Sequence, residues 1–451
     1  MQRNCLRRVV GTLCFLLLVL AAHAQKYTVT GGQGTPLLVD ADDSQNKNQR
    51  LEVYLVYGMD NVEISYTSAS TSHQWYRYKT KKLEAERIAS VQNGTTSVIS
   101  NLEEGYGYFV EETGLSEAYV WIIDYSKYAF DVTNLYVDTE RSNCDYMALG
   151  GSVDMKDMKY YTPLGSSKIL NREFDIIYQT MKQMGEDGIY TTVTVDTVIN
   201  PFEKVLDPPL CDTDVTLKGD LFARHFGVEK VITTDVYQAV AVEAVMKIDT
   251  LSYASDIPNM VVKGDSLSAP VEFNFTAIAN IPVAAVFKWS IFQKNEGTEN
   301  TKLLEQNGNR EDINYTFNQN GTYIVSLEVS DRTLQCTNIL PEVTINISDT
   351  YLEVPNAFSP GTTPGINDEF RVAYRSLNSF KCWIFNRWGA EIYHWTDPSQ
   401  GWDGKKGGKY VAPGVYFYVI EATGSDGKRL KKKGSINILR SKRIDDEIIE
   451  E

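Results

Sequence analysis

Tyr323-Ile-Val-Ser-Leu-Glu-Val329 places Tyr323, Val325, Leu327 and Val329 on one side of an extended chain and Ile324, Ser326 and Glu328 on the other. A period of two is the signature of a half-buried β-strand, because successive side chains of a strand point to opposite faces. Asn320-Gly321, just before it, is a turn dipeptide that tolerates positive φ. The same pattern recurs outward. Leu51-Glu-Val-Tyr-Leu-Val-Tyr57 and Tyr190-Thr-Thr-Val-Thr-Val195 are rich in β-branched and aromatic residues, with Asn93-Gly94 and Asp187-Gly188 as punctuation. Short strands so regularly interrupted predict antiparallel sandwiches rather than alternating strand–helix units. Two stretches carry a helical signal: residues 81–89, and residues 174–184, which read equally as a strand running into a turn.

Composition bounds the answer. The chain has 451 residues, which at about 100–150 per domain suggests three or four domains. Hydrophobic residues make up 43% and charged residues 23%, as in folded globular protein. Lys+Arg number 44 and Asp+Glu 59, a net charge of −15 that repels phosphate and excludes a basic nucleic-acid binder.

Arg3, Arg7 and Arg8 precede an apolar run from Val9 to Ala22, and Ala22-His23-Ala24 offers small residues at a cleavage site. That layout predicts a secretory signal peptide over 1–24 and an exported chain. Its removal takes away three Arg and no acid, so the net charge moves from −15 to −18. Cys144, Cys211, Cys336 and Cys382 remain, an even number in an oxidising compartment. Cys144–Cys211 is the preferred disulfide, bracketing one domain, and whether Cys336 and Cys382 pair is left open.

Past the signal peptide, five pieces are expected: a first sandwich at 26–130, a β-domain of unidentified family at 131–255, a third domain at 256–349, a fourth at 350–440 and an acidic tail at 441–451. In the first, His73-Gln-Trp-Tyr-Arg-Tyr78 looks like the Trp-bearing strand of an immunoglobulin-like domain, and Gly105-Tyr-Gly-Tyr-Phe-Val110 like the strand carrying its corner tyrosine. The third offers Pro270-Val-Glu-Phe-Asn-Phe-Thr276, Phe287-Lys-Trp-Ser290, Asn314-Tyr-Thr-Phe317 and the hairpin strand quoted first. It resembles the polycystic-kidney-disease (PKD) type of immunoglobulin-like domain, which implies that Tyr323, Val325 and Leu327 pack on Trp289. The family's usual Asp-Gly before the Trp strand is missing. The fold class expected is therefore all-β, as tandem immunoglobulin-like β-sandwich domains.

The densest signal lies in the fourth piece. Asn356, Phe358 and Pro360 come from Pro355-Asn-Ala-Phe-Ser-Pro360, and Asn367, Asp368 and Phe370 from Ile366-Asn-Asp-Glu-Phe370. Phe385, Asn386, Arg387, Trp388 and Gly389 close Trp383-Ile-Phe-Asn-Arg-Trp-Gly389, and Trp402, Asp403 and Gly404 follow. Pro413, Gly414 and Tyr416 open the strand that begins Val415-Tyr-Phe-Tyr418, and Arg440 ends Gly434-Ser-Ile-Asn-Ile-Leu-Arg440. Glycine supplies the positive φ that such turns need, and Trp388 and Trp402 are read as closing a small core. In this order the motifs resemble the gliding-motility-associated C-terminal domain, the type B sorting domain of the type IX secretion system of Bacteroidetes. The resemblance implies a small sandwich read by the outer-membrane translocon and a cognate outer-membrane β-barrel, with delivery through the periplasm to the cell surface or medium. Two departures stand out: Gly361-Thr-Thr-Pro-Gly365 replaces the family's Asn-Gly-Asp-Gly, and an acidic tail follows Arg440.

Charge divides with the pieces. Residues 351–440 hold 13 bases and 8 acids, a net of +5, the tail is −3, and residues 25–350 carry −20. Lys428, Arg429, Lys431, Lys432 and Lys433 form the densest basic run, read either as a lysine-protected edge strand or as a docking patch for an acidic partner or anionic glycan.

No catalytic constellation is evident. His73, His225 and His394 are scattered over three pieces, Gly31-Gly-Gln-Gly34 lacks a following Lys-Ser/Thr, and neither Asp40/Asp42/Asp43 nor Asp154/Asp157 has calcium-loop spacing. Short Asp-Ser/Thr-apolar triplets begin at Asp196, Asp249 and Asp265 and resemble a Bacteroidetes O-glycosylation acceptor. The expectation is a secreted or surface-bound modular binding or structural protein, adhesin-like, without enzymatic activity or cofactor, whose targets are a surface glycan or protein. The alternatives are a secreted hydrolase with its site in 131–255 and a component of the secretion or gliding machinery.

Overall fold

A computed structural model describes residues 27–42, 49–112, 117–185, 188–251, 259–261, 264–362 and 365–440. The signal peptide, Asp43 and the acidic tail lie outside them, as do the side chains of Asp40, Asp42 and Asp154.

The alternating segments form strands throughout, and the described residues hold one α-helix, of five residues, Leu221–His225. Neither helical signal produces an α-helix. Residues 174–183 form the strand Phe174–Gln183, because Phe174, Ile176 and Tyr178 alternate into a core while the backbone pairs on both sides. Residues 81–89 hold a single 3-10 turn, Lys82–Glu84, and the three-residue strand Glu86–Ile88.

The first unit is a sandwich of a four-stranded and a six-stranded sheet. Trp75, Tyr27, Tyr66, Ile64 and Val120 fill the space between them. The Trp75 indole N–H donates to Ser97 Oγ at 2.8 Å, and the Tyr108 hydroxyl returns to the Glu103 carbonyl at 2.8 Å.

In the second unit Tyr190–Ile199, Phe174–Gln183, Val215–Gly219 and Lys230–Thr233 lie side by side, over a core of Leu135, Met147, Phe174, Ile176 and Leu217. It is welded to the first, since Trp121 and Tyr125 share a buried cluster with Met158, Tyr160 and Ala223. At that weld Arg172 donates to Asp220 at 3.0 Å, and both are buried. The third unit buries Trp289 among Phe275, Tyr323, Val325 and Leu327.

The expected Cys144–Cys211 bridge does not form. Cys144 is bonded to Cys336 across 192 residues, with Cα atoms 5.5 Å apart, and Cys211 and Cys382 are free thiols. Pairing within one domain presumed that each domain closes on itself. Instead a loop pinned by Ser142 and Asn143 hydrogen bonds presents Cys144 to the turn after Gly321–Asp331, so the sulfurs meet between the second and third units.

Candidate functional site

The fourth unit rests on one five-stranded sheet, in the order Ala357–Phe358, Arg429–Ile438, Gly414–Gly424, Leu377–Phe385, Glu391–Trp395. Register decides which side chains share a face. Cys382 opposes Ile420, Ile384 opposes Tyr418, and Tyr416 opposes Ile436, so these alternate positions look inward. There they meet Phe358, Phe370, Trp395 and Trp402. Burial alone pushes the Cys382 thiol far above its ordinary range, which leaves it an inert core group.

Trp402 is 0% exposed, and its indole N–H donates to the Lys405 carbonyl at 2.8 Å, so its one donor is satisfied. Asp403 accepts from the Lys405 amide at 3.0 Å to hold the turn. Gly404 follows at φ +75°, where a Cβ would fall 2.8 Å from the Pro360 ring. Asn367 also has positive φ, and Asp368 accepts from the amides of Gly361 and Gly365 at 3.1 and 2.5 Å. The Asn356 carbonyl accepts from the Asn437 amide at 2.9 Å. The Tyr416 hydroxyl donates to the Ala412 carbonyl at 3.0 Å across Pro413-Gly414, and Arg440 lies 4.3 Å over the Tyr410 ring.

Trp388 is a correction. It is 75% exposed and closes no core. Asn386 accepts from the amides of Trp388 and Ala390 at 3.0 and 2.9 Å, which tightens the turn and throws the indole outward, with the Arg387 guanidinium 4.3 Å over its ring.

The outer face of the sheet has a different chemistry. Phe385 opposes Phe417 and Trp383 opposes Val419, with Val415 beyond, a stripe in which Val415 and Phe417 are exposed. Lys431 and Lys433 flank it from the next strand, opposite Glu421 and Val419. Lys431 pairs with Glu421 at 2.7 Å, a hydrogen bond that holds the carboxyl below its usual range. Among the described residues neither Arg429 nor Lys433 has an acidic partner. The basic run therefore splits. Arg429, Lys431 and Lys433 share the outer face, Lys428 sits at the turn paired with Asp426 at 2.9 Å, and Lys432 turns inward to donate to the Leu352 carbonyl at 2.6 Å. Ala357–Phe358 covers only Asn437 and Ile438, so the lysine-bearing half of this strand is also a sheet edge.

One cluster elsewhere has the ingredients of a hydrolase. His73 lies buried with Ser68 at 2.9 Å from Nε2 and Ser97 at 2.7 Å from Nδ1, and Ser68 donates to Glu112. Its proton order is wrong for nucleophilic catalysis. Ser68 spends its one hydrogen on Glu112, so its Oγ accepts from the ring and the Nε2 N–H faces Ser68. Nε2 then has no lone pair with which to deprotonate Ser68, as a general base must. The Tyr66 hydroxyl donates to the same Glu112 at 2.7 Å, and after burial this is what raises its pKa. The cluster thus reads as a satisfied polar core that sequence spacing alone does not reveal. His225 bonds the Thr35 carbonyl at 2.8 Å, and His394 pairs with Glu391 at the surface. Among the described residues no three His, Cys, Asp or Glu converge as metal ligands.

Two families match this chain. Residues 352–438 match the CHU_C type IX secretion signal domain, and residues 136–234, the stretch that sequence reading left without a family, match the fibronectin type III domain. The chain thus carries a type IX secretion signal domain and a fibronectin type III domain within a set of immunoglobulin-like β-sandwiches; neither matched domain is an enzymatic family. The signal implies an interaction with the secretion machinery and export to the cell surface or extracellular space. Among solved structures, a tetra-tandem repeat from the extending region of a large adhesion protein is 12% identical, covering 86% of this chain and 99% of its own at a TM-score of 0.20. A Ca2+-stabilized adhesin that helps an Antarctic bacterium reach out and bind ice is 11% identical, covering 92% and 100% at 0.18. Scores that low do not reflect one shared overall shape, and neither relative bears on what this chain does. No curated protein matches it.

Proposed function

We propose that this chain is a modular adhesin-like protein, delivered by type IX secretion to the cell surface or medium, where its sandwiches bind a glycan or protein without chemistry. The observation that carries the reading is the C-terminal sheet, whose ordered motifs coincide with the secretion signal domain. Residues 1–24 serve as the signal peptide that brings the chain to the periplasm. Residues 26–130, 131–255 and 256–349, the last PKD-like, are the cargo. Residues 350–440 are the unit read by the translocon and a cognate outer-membrane β-barrel. Recognition falls on the outer face, where Arg429, Lys431 and Lys433 border the exposed aromatic stripe and the Arg387–Trp388 turn projects. Cations beside aromatic rings suit an acidic partner, because each ion pair forms on a partly desolvated surface. The cargo, at −20, is repelled by such a partner.

Deleting residues 351–451 and fractionating cells tests the export reading: the truncated chain should accumulate in the periplasm, and its arrival at the surface would overturn the proposal. The docking face is tested by Lys431→Gln with Lys433→Gln, which should lower export of a normally folded chain. Export equal to wild type would leave these lysines as protection of an open edge.

A further inference from the structure

One sheet edge stands out by its length and exposure. Tyr190–Ile199 is ten residues long and lies at the end of its sheet, paired on one side only. That pairing, with Phe174–Gln183, runs from Phe174 opposite Ile199 to Gln183 opposite Tyr190 without a register shift. Among the described residues no other element hydrogen-bonds to its backbone. A strand of this length paired on one side turns about five N–H and five C=O groups outward.

The usual guards of such an edge are missing. Tyr190-Thr-Thr-Val-Thr-Val-Asp-Thr-Val-Ile199 has one charged residue, Asp196, and no Lys, Arg, Pro or Gly. Most of the other long edges are guarded or shorter, Asp312–Phe317 being six residues against ten here. Leu37–Asp42, Thr301–Gly308 and Glu391–Trp395 carry register shifts. Ala244–Thr250 carries Lys247, and Tyr27–Thr30, Val91–Asn93, Glu86–Ile88 and Lys230–Thr233 are four residues or shorter. Solvent also reaches both faces here: Thr192, Thr194, Asp196 and Val198 are exposed, and Thr191, Val193, Val195 and Thr197 half-exposed.

We propose that this edge joins two copies of the chain, Tyr190–Ile199 pairing antiparallel with its own counterpart about a two-fold axis to fuse two four-stranded sheets into one of eight strands. The strand is complementary to itself. Centred on Thr194 or Val195, the pairing sets Thr and Val side chains against one another, and it places Asp196 opposite Thr192 or Thr194 rather than opposite its own copy. No lysine repels the second strand. The pair alone buries less than the roughly 1,200 Å² of a stable interface, so the association is weak and concentration-dependent. It stands independently of the export reading.

Sedimentation equilibrium of residues 25–451 at concentrations up to the order of 100 µM covers the range in which so small an interface forms. The expected result is a reversible dimer, with amide-exchange protection over residues 191–198 rising with concentration. Thr192→Lys with Thr194→Lys puts two cations on the exposed face of the edge and should weaken the dimer at least tenfold while leaving circular dichroism and melting unchanged. A chain that stays monomeric, including one that captures only foreign strands, overturns the proposal. So does a dimer whose 191–198 amides exchange as in the monomer, or a folded double variant that dimerises as wild type. The exchange experiment needs no variant, so a misfolded variant does not stop the test.

Discussion

Replacing Asp220 with Asn probes the weld between the first two units. The carboxylate is fully buried and accepts from three donors: Arg172 Nη1 at 3.0 Å, the Tyr125 hydroxyl at 2.7 Å and the Ala223 amide at 2.9 Å, where it also caps the helix Leu221–His225. Arg172 in turn donates from Nη2 to the carbonyls of Tyr128 and Lys156 at 2.7 and 3.0 Å, which fixes its position. Asparagine keeps an oxygen for Tyr125 and Ala223, but it sets an NH2 against the guanidinium and removes the anion that faces a buried cation. Breaking one partner of a buried pair costs about 3–5 kcal/mol, because the remaining charge is left uncompensated. Tyr125→Phe removes one hydrogen bond to a charged group, worth about 1.5–3 kcal/mol. For units of this size each kcal/mol lowers the melting point by about 2–4 °C, so Asp220→Asn should cost roughly 6–20 °C and Tyr125→Phe clearly less. Differential scanning calorimetry reads both, and amide exchange over residues 121–128 locates the loosened region. A shift for Asp220→Asn below about 2 °C, or no larger than that of Asp131→Asn in the exposed Lys230–Asp131 pair, where a surface ion pair is worth at most about 1 kcal/mol, would refute the reasoning.

Cys336→Ser opens a loop of 192 residues and should cost about 5 kcal/mol on the loop-entropy account, seen as faster proteolysis between the second and third units; unchanged cleavage would count against it. Trp402→Ala should destabilise the C-terminal unit by about 3–5 kcal/mol in urea unfolding, whereas Trp388→Ala should stay within about 0.5 kcal/mol, since one ring is buried and the other projects. Gly404→Ala should cost about 1–3 kcal/mol in the same assay, from a positive φ and a Cβ against Pro360, and a neutral result would mean that the turn relaxes. Burial pushes the Asp331 carboxyl up, but hydrogen bonds from Thr333 and the Cys336 amide outweigh it and hold the group below its usual range. Folded-state pKa below unfolded means a stabilising contribution above about pH 4 that is lost as pH falls through the folded value. Wild type and Asp331→Asn should therefore differ most above pH 4 and converge in acid, and a constant difference in denaturation midpoints would contradict this.

Much of the architecture is legible in the sequence because it depends on local period: alternation over 51–57, 190–195 and 323–329 marks strands wherever it occurs. The C-terminal unit is legible for another reason, since its turns need particular residues in a particular order, as Gly404 against Pro360 shows. What stays hidden depends on docking. Cys144 finds Cys336 only because two units meet there, and no spacing along the chain encodes that meeting. Trp388 and Trp402 both stand next to glycine-containing turns, yet one ring is inside and one outside, a choice made by the phase of the hairpin. Nothing local marks Arg172 and Asp220 as buried, since it is the weld that covers them. The one local signal for Asp220 is its type, an acidic residue capping Leu221–His225. The basic run looked uniform, and only the pleat separates Lys432 from its neighbours.

The Cys144–Cys336 bond also determines how the chain would carry a pull. For a protein held at its C-terminal unit and loaded at its first, tension entering at residue 144 crosses the sulfur bridge and leaves at 336, bypassing everything between. The enclosed 192 residues, at about 3.4 Å each when fully extended, are on the order of 650 Å of slack that cannot be paid out while the bond holds. Reduction would release that length, turning a short, stiff tether into a long, compliant one.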